Sequence, residues 1–274
     1  GANNIAVMDL QTDDAFGQPG ENFLVARYSR DVLGRSQIGG IVINKQANTG
    51  GGFNRTYAAD MNLALTTAFT VDGFIAGTST PGVSEGELGG HVRAGWLDQS
   101  WRIYSEYENL GDNFNPEVGF LARDSYRQIS GSVFTTFRPE NFMGVHEFRP
   151  HVNHNTVFDF ETGRQETQFT HIDNHTEWRN GYEIHPGMNL SKEGVFEPFE
   201  ISPGVVVPPG VYDHNETQIA GNTNLGAPVS FNINTIVGGL FGGDRVTFEP
   251  SIAARVGETV NPVFEWSSND LRLP

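Results

Sequence analysis

The residues best suited to chemistry in this chain are imidazoles: of its eight histidines, seven lie between His146 and His214. His171, Asp173 and His175 alternate along one run, so a strand there presents all three on one face. Read as a three-residue loop with Gly181 in the left-handed position, Arg179-Asn180-Gly181 pairs Trp178 with Tyr182 and Ile172 with Met188. The polar face then brings His185 opposite His175 and Glu183 opposite Glu177. A two-residue Asn-Gly turn would oppose Trp178 to Glu183 and mix the faces, so amphipathicity selects the longer loop. Imidazoles and a carboxylate on one face are ligand types for Zn²⁺ or another divalent ion, which makes His171, Asp173, His175 and His185 the candidate metal ligands. The favoured account of the same residues is a polar wall whose side chains satisfy one another and water. No cofactor is expected.

Other chemistries have less to stand on. Asp112, Glu117 and Asp124 surround the Asn115-Pro116 turn, but glycoside hydrolysis needs two carboxyls about 5–9 Å apart across a sugar. Proximity in a loop does not provide that opposition, and these residues read as turn caps. The absence of cysteine removes thiolate metal sites, cysteine nucleophiles and disulfides together. Gly50–Gly52 lacks the lysine and the helix of a phosphate-binding loop.

The elements that must position such groups are strands. Period-two alternation recurs along the chain, broken by Gly, Asn, Asp and Pro clusters, in about a dozen segments. Ile184, Pro186, Met188 and Leu190 oppose Glu183, His185, Asn189 and Ser191. Val229, Phe231, Ile233, Thr235 and Val237 oppose Ser230, Asn232 and Asn234, and Val246, Phe248, Ile252 and Ala254 oppose Thr247, Glu249 and Ser251. Such runs approach the roughly 9–11 residues with which a tilted strand crosses a bilayer, longer than the ~5–6 of soluble sheets. The pattern predicts an all-β, antiparallel, up-and-down transmembrane β-barrel, with a soluble sandwich or jelly roll as the competing architecture. Pro-rich Ile201–Tyr212 is expected to be loop. Trp96, Trp101, Trp178 and Trp266 at strand ends read as interface anchors, with sugar stacking as the alternative.

Charge narrows the partners. Seventeen Lys and Arg against 33 Asp and Glu give a net charge of −16, and only Lys45 and Lys192 are lysines, so no basic stripe exists for nucleic acid. Thirty-three glycines and twenty phenylalanines among 274 residues suit a turn-rich β protein. No stretch approaches 18 consecutive apolar residues, which leaves no transmembrane helix. With no composition shift and no repeat of fixed period, residues 1–274 read as one domain.

The loops carry a further likeness. Phe23-Leu-Val-Ala-Arg-Tyr-Ser-Arg-Asp31 followed by Gly34-Arg35-Ser36-Gln37-Ile38-Gly39, then Gly111-Asp-Asn-Phe-Asn-Pro-Glu-Val-Gly-Phe120, then Glu197-Pro-Phe-Glu-Ile-Ser-Pro-Gly-Val-Val-Val-Pro-Pro-Gly-Val-Tyr212 resemble an uncharacterised bacterial family. In that family a domain similar to family-nine carbohydrate-binding modules precedes an outer-membrane β-barrel of unknown function. The likeness is to the barrel part, from about Asn4 to Leu273, and it implies a fold and a location but no reaction. The carbohydrate-binding-like domain is missing from this chain. The Asn269-Asp-Leu-Arg-Leu-Pro274 end lacks the closing aromatic of such barrels, so an incomplete barrel, an internal fragment, is expected. The resemblance implies outer-membrane lipid and saccharides as partners, a role in carbohydrate-related uptake or surface binding, and no catalysis. A soluble all-β carbohydrate-binding module or glycoside hydrolase is the alternative.

Overall fold

A computed structural model describes residues 1–273, none of which is helical. Alternating apolar and polar side chains with Gly-rich punctuation give eighteen strands: β1 (Asn3–Gln11), β2 (Glu21–Val32), β3 (Ser36–Ala47), β4 (Phe53–Ala64), β5 (Phe69–Ser79), β6 (Leu88–Leu97), β7 (Trp101–Leu110), β8 (Tyr126–Thr135), β9 (Val145–Asp159), β10 (Gln165–Trp178), β11 (Glu183–Val195), β12 (Phe199–Ser202), β13 (Val205–Val207), β14 (Gly210–Asn222), β15 (Val229–Leu240), β16 (Gly243–Ala254), β17 (Val263–Glu265) and β18 (Ser268–Arg272). Sixteen of them form one antiparallel up-and-down sheet, in the order β1 to β11, then β14 to β17, with β18 also on β16. Among the described residues the ladder is open: β1 pairs only with β2, while β17 and β18 pair only with β16.

Two compact units make up the sheet. One comprises Gly1–Leu97, Tyr104–Ser130 and Val157–Arg164; the other comprises Asp98–Ile103, Gly131–Thr156 and the residues from Gln165 on. In the first, register aligns Val7, Ala26, Val42, Tyr57, Gly77 and Leu88 in one row. Val7, Val42, Tyr57 and Leu88 are exposed. On the other face Arg27 grips Asp60 through two hydrogen bonds of 2.7 Å. Ala76, Leu110 and Phe114 form a small apolar cluster, flanked by Ala58, Leu121 and Tyr126. Phe114 comes from the long 111–125 connection, and Gly89 makes room for it: a Cβ there would stand 2.7 Å from the Phe114 ring.

The second unit repeats the inversion more cleanly. The row Ile172, Met188, Thr217, Val237 and Val246 crosses five strands, and every member is exposed. The opposite parity holds Asp173, Asn189, His214, Glu216, Ser230 and Thr247, all buried. Among the described residues, fourteen buried side chains are polar or charged and seven are apolar, the reverse of a soluble core.

One expectation needs correcting. The Pro-rich 201–212 stretch is not plain loop. Pro203-Gly204, with Gly204 at φ 79°, turns a small hairpin of β12 on β13, and Val205–Val207 has the β-branched composition of a strand. β14 then begins at Gly210.

Candidate functional site

The histidine site is built on the β10–β11 hairpin. Gly181 takes φ 82°, the Trp178 N–H donates to the Tyr182 carbonyl at 2.8 Å, and the Gly181 N–H donates to the Trp178 carbonyl at 2.9 Å. This is the three-residue loop read from the sequence. It sets Ile172 against Met188, Asp173 against Gly187, His171 against Asn189 and Glu177 against Glu183. The same register places His175 beside His185, their rings stacked with centroids 3.7 Å apart. Gly187 has no side chain to crowd Asp173, which fills that space.

All four predicted residues therefore converge, with Asp173 at the centre. His171 Nε2 lies 3.3 Å and His175 Nε2 3.8 Å from Asp173 Oδ2. Asp173 is 8% exposed, and its second oxygen, Oδ1, is buried with no hydrogen-bond partner. Sequence reasoning missed His151 of β9, whose ring centroid stands 5.3 Å from that of His171 and 5.2 Å from that of His175. Two triads have donor atoms close enough to share an ion: His151, His171 and Asp173, and Asp173, His175 and His185.

A second layer holds these rings. His175 Nδ1 meets Glu183 Oε1 at 2.9 Å, and His171 Nδ1 meets Asn189 Oδ1 at 2.6 Å. His151 Nδ1 faces the Arg149 carbonyl at 3.2 Å. Arg149 pairs with Glu183 and lies 3.5 Å from Glu177 and 3.4 Å from Glu147. Glu147 is also bound by Arg138 at 2.8 Å. Glu147, Glu177 and Glu183 thus share two guanidinium groups, and with the Asp173 carboxylate, which faces only imidazoles, the cluster is favourable to a further cation.

From Asn189 a chain of amides leads away across the sheet. Asn189 Nδ2 donates to Gln218 Oε1 at 3.3 Å, Gln218 Nε2 to Asn234 Oδ1 at 3.0 Å, and Asn234 Nδ2 to Glu249 Oε2 at 2.9 Å. No sequence motif marks this line, although Asn189, Asn234 and Glu249 all sit on the polar parity of their strands.

Of the loop carboxylates, Glu117 and Asp124 line one hollow together with Lys45. Glu117 is held by Lys45 at 2.9 Å, and Asn113 Nδ2 reaches the Glu85 carbonyl at 3.0 Å, so the 111–125 loop is tied down by these groups. Asn54, 1% exposed, donates to the Asn115 carbonyl at 2.8 Å and accepts from the Glu117 N–H at 3.3 Å. Gly82-Val83-Ser84-Glu85-Gly86 has the spacing of a nucleophile elbow, which the sequence reading overlooked. It joins two antiparallel strands with no helix after it, so it lacks the strand-turn-helix context of that motif. Trp96, Trp101 and Trp178 lie on the apolar parity of their strands, and Trp266 meets Phe248 of that face edge-on at 5.9 Å.

No protein-family profile, no curated protein and no solved structure matches this chain.

Proposed function

We propose that this chain forms the wall of a bacterial outer-membrane β-barrel without catalytic activity. Its apolar parity contacts lipid, and its polar parity lines a lumen used for passage or for holding a saccharide-binding partner domain. The observation that carries the reading is the inverted burial: whole rows of Ile, Val, Met and Phe lie exposed while the polar rows opposite them are buried. A soluble sandwich gains its stability from the opposite arrangement.

Three features support it. Fourteen strands run 9–15 residues, enough to cross a hydrocarbon layer at a tilt. The tryptophans sit on the apolar parity near strand ends, where interfacial girdles lie. Connections alternate in length as they do between periplasmic turns and outer loops. Residues 33–35, 65–68, 98–100 and 179–182 make short turns, against 12–20, 80–87, 111–125 and 196–209 at the other set of hairpins; 48–52, 136–144, 160–164, 223–228, 241–242 and 255–262 do not follow the rule. The carbohydrate part of the proposal rests on the family resemblance alone.

The test is membrane fractionation of the native protein, followed by a semi-native gel of boiled and unboiled samples. A closed barrel must find partners for the free edges of β1, β17 and β18, and heat-dependent mobility reads that closure. The expected result is a shift in the outer-membrane fraction. A soluble protein with no shift discards the barrel and leaves a soluble all-β carbohydrate-binding protein or hydrolase.

A further inference from the structure

The amide chain that ends at His171 has a direction. Glu249 is a carboxylate and has no hydrogen to give, so Asn234 must donate to it through Nδ2. Asn234 Oδ1 then accepts from Gln218, whose Oε1 accepts from Asn189. That leaves Asn189 Oδ1 as an acceptor, and the His171 Nδ1–H must donate to it. The proton of neutral His171 is thereby fixed on Nδ1, and its Nε2 carries a bare lone pair. The Glu183 carboxylate fixes His175 in the same way, with the proton on Nδ1 and the lone pair on Nε2.

Each lone pair faces the Asp173 carboxylate. His171 Nε2 at 3.3 Å and His175 Nε2 at 3.8 Å face Asp173 Oδ2, itself an acceptor only, and Asp173 Oδ1 beside it is buried and unpartnered. Acceptor against acceptor is repulsive unless a cation stands between them. For metal–ligand bonds of ~2.0–2.1 Å, neighbouring ligands in a tetrahedron lie about 3.3–3.4 Å apart, close to the 3.3 Å between His171 Nε2 and Asp173 Oδ2.

We propose that this wall holds one divalent transition-metal ion of the Zn²⁺ type. His151, His171 Nε2 and Asp173 supply the ligands, their donor atoms all lying within 4.8 Å of one another. His175 and His185, stacked on each other, form the second group of donors around the same Asp173. The outer layer is of the kind that orients metal-bound imidazoles: a backbone carbonyl behind His151 and a side-chain carbonyl behind His171. Here that layer extends across five strands to Glu249. The site does not depend on the membrane reading, because every residue in it is placed by the β9–β16 part of the sheet.

Calorimetric titration of the folded, chelator-stripped full chain with ZnCl₂ tests the proposal, with β-sheet circular dichroism as the control for folding. The expected result is one saturable Zn²⁺ per chain, lost in Asp173→Asn and in His171→Ala and retained in Asn232→Ala. Glu249→Gln touches no ligand but lets the amide chain reverse, and it weakens binding about 10–100-fold. If the folded wild type takes up no Zn²⁺, protons fill the gap and the site is overturned. It is equally overturned if Asp173→Asn binds as tightly as the wild type. Unchanged affinity in Glu249→Gln removes the long relay from the proposal.

Discussion

Single residues carry sharply different weights in this sheet. Gly181 sits at φ 82°, where a Cβ costs about 1–2 kcal/mol. Gly181→Ala is accordingly expected to lower stability by about 1 kcal/mol in a denaturant titration, with the β10–β11 register kept. Phe114 is the buried anchor of the 111–125 connection. Truncating it to Ala removes the contacts with Ala76 and Leu110 at a cost of about 3–5 kcal/mol. The expected readout is rapid protease cleavage between residues 111 and 125, while the rest of the chain resists. At this scale the sequence was readable where the chain is local. The Gly181 turn and the His171, Asp173, His175 and His185 set follow from parity around one short hairpin. His151 was not readable, because its approach depends on how β9 and β10 align across the 160–164 connection, and no local signal states that alignment.

Strands add what residues cannot. The exposed row across β10, β11, β14, β15 and β16, apolar but for Thr217, follows from period-two patterning, and the long alternating runs at 183–191, 229–237 and 246–254 are strands as that patterning predicts. The β12–β13 hairpin was hidden by its prolines, which signal loop while Val205–Val207 signals strand. The amide chain had no signature because two of its links are diagonal rather than directly opposed: Asn189 pairs with Glu216, and Gln218 with Ile236. Replacing Asn234 with Ala removes a donor and an acceptor at once and takes away the partner of Gln218 Nε2 and of Glu249 Oε2. The expected loss is about 1–3 kcal/mol in urea unfolding, larger than for Asn232→Ala, whose side chain has no such place in the chain.

For the whole molecule, parity decides which solvent each residue meets. Under the barrel reading, Ile233→Arg and Ile252→Arg place a charge against lipid and cost ~2–4 kcal/mol each, whereas Asn232→Arg faces the lumen. Insertion into outer-membrane-lipid vesicles, scored by gel mobility, is expected to fail or slow for the two isoleucine variants and to proceed for the asparagine variant. Equal tolerance at both parities would argue against the barrel. The same parity has a blind spot. A strand that slips by one residue turns every side chain to the wrong solvent and is rejected, but a slip of two restores the in-and-out alternation. The line from His171 through Asn189, Gln218 and Asn234 to Glu249 does not forgive that second error, since a shift of two at one of these interfaces carries an amide away from its neighbour. The polar face thus acts as a proofreader for the apolar one, checking an alignment that hydrophobicity alone would accept.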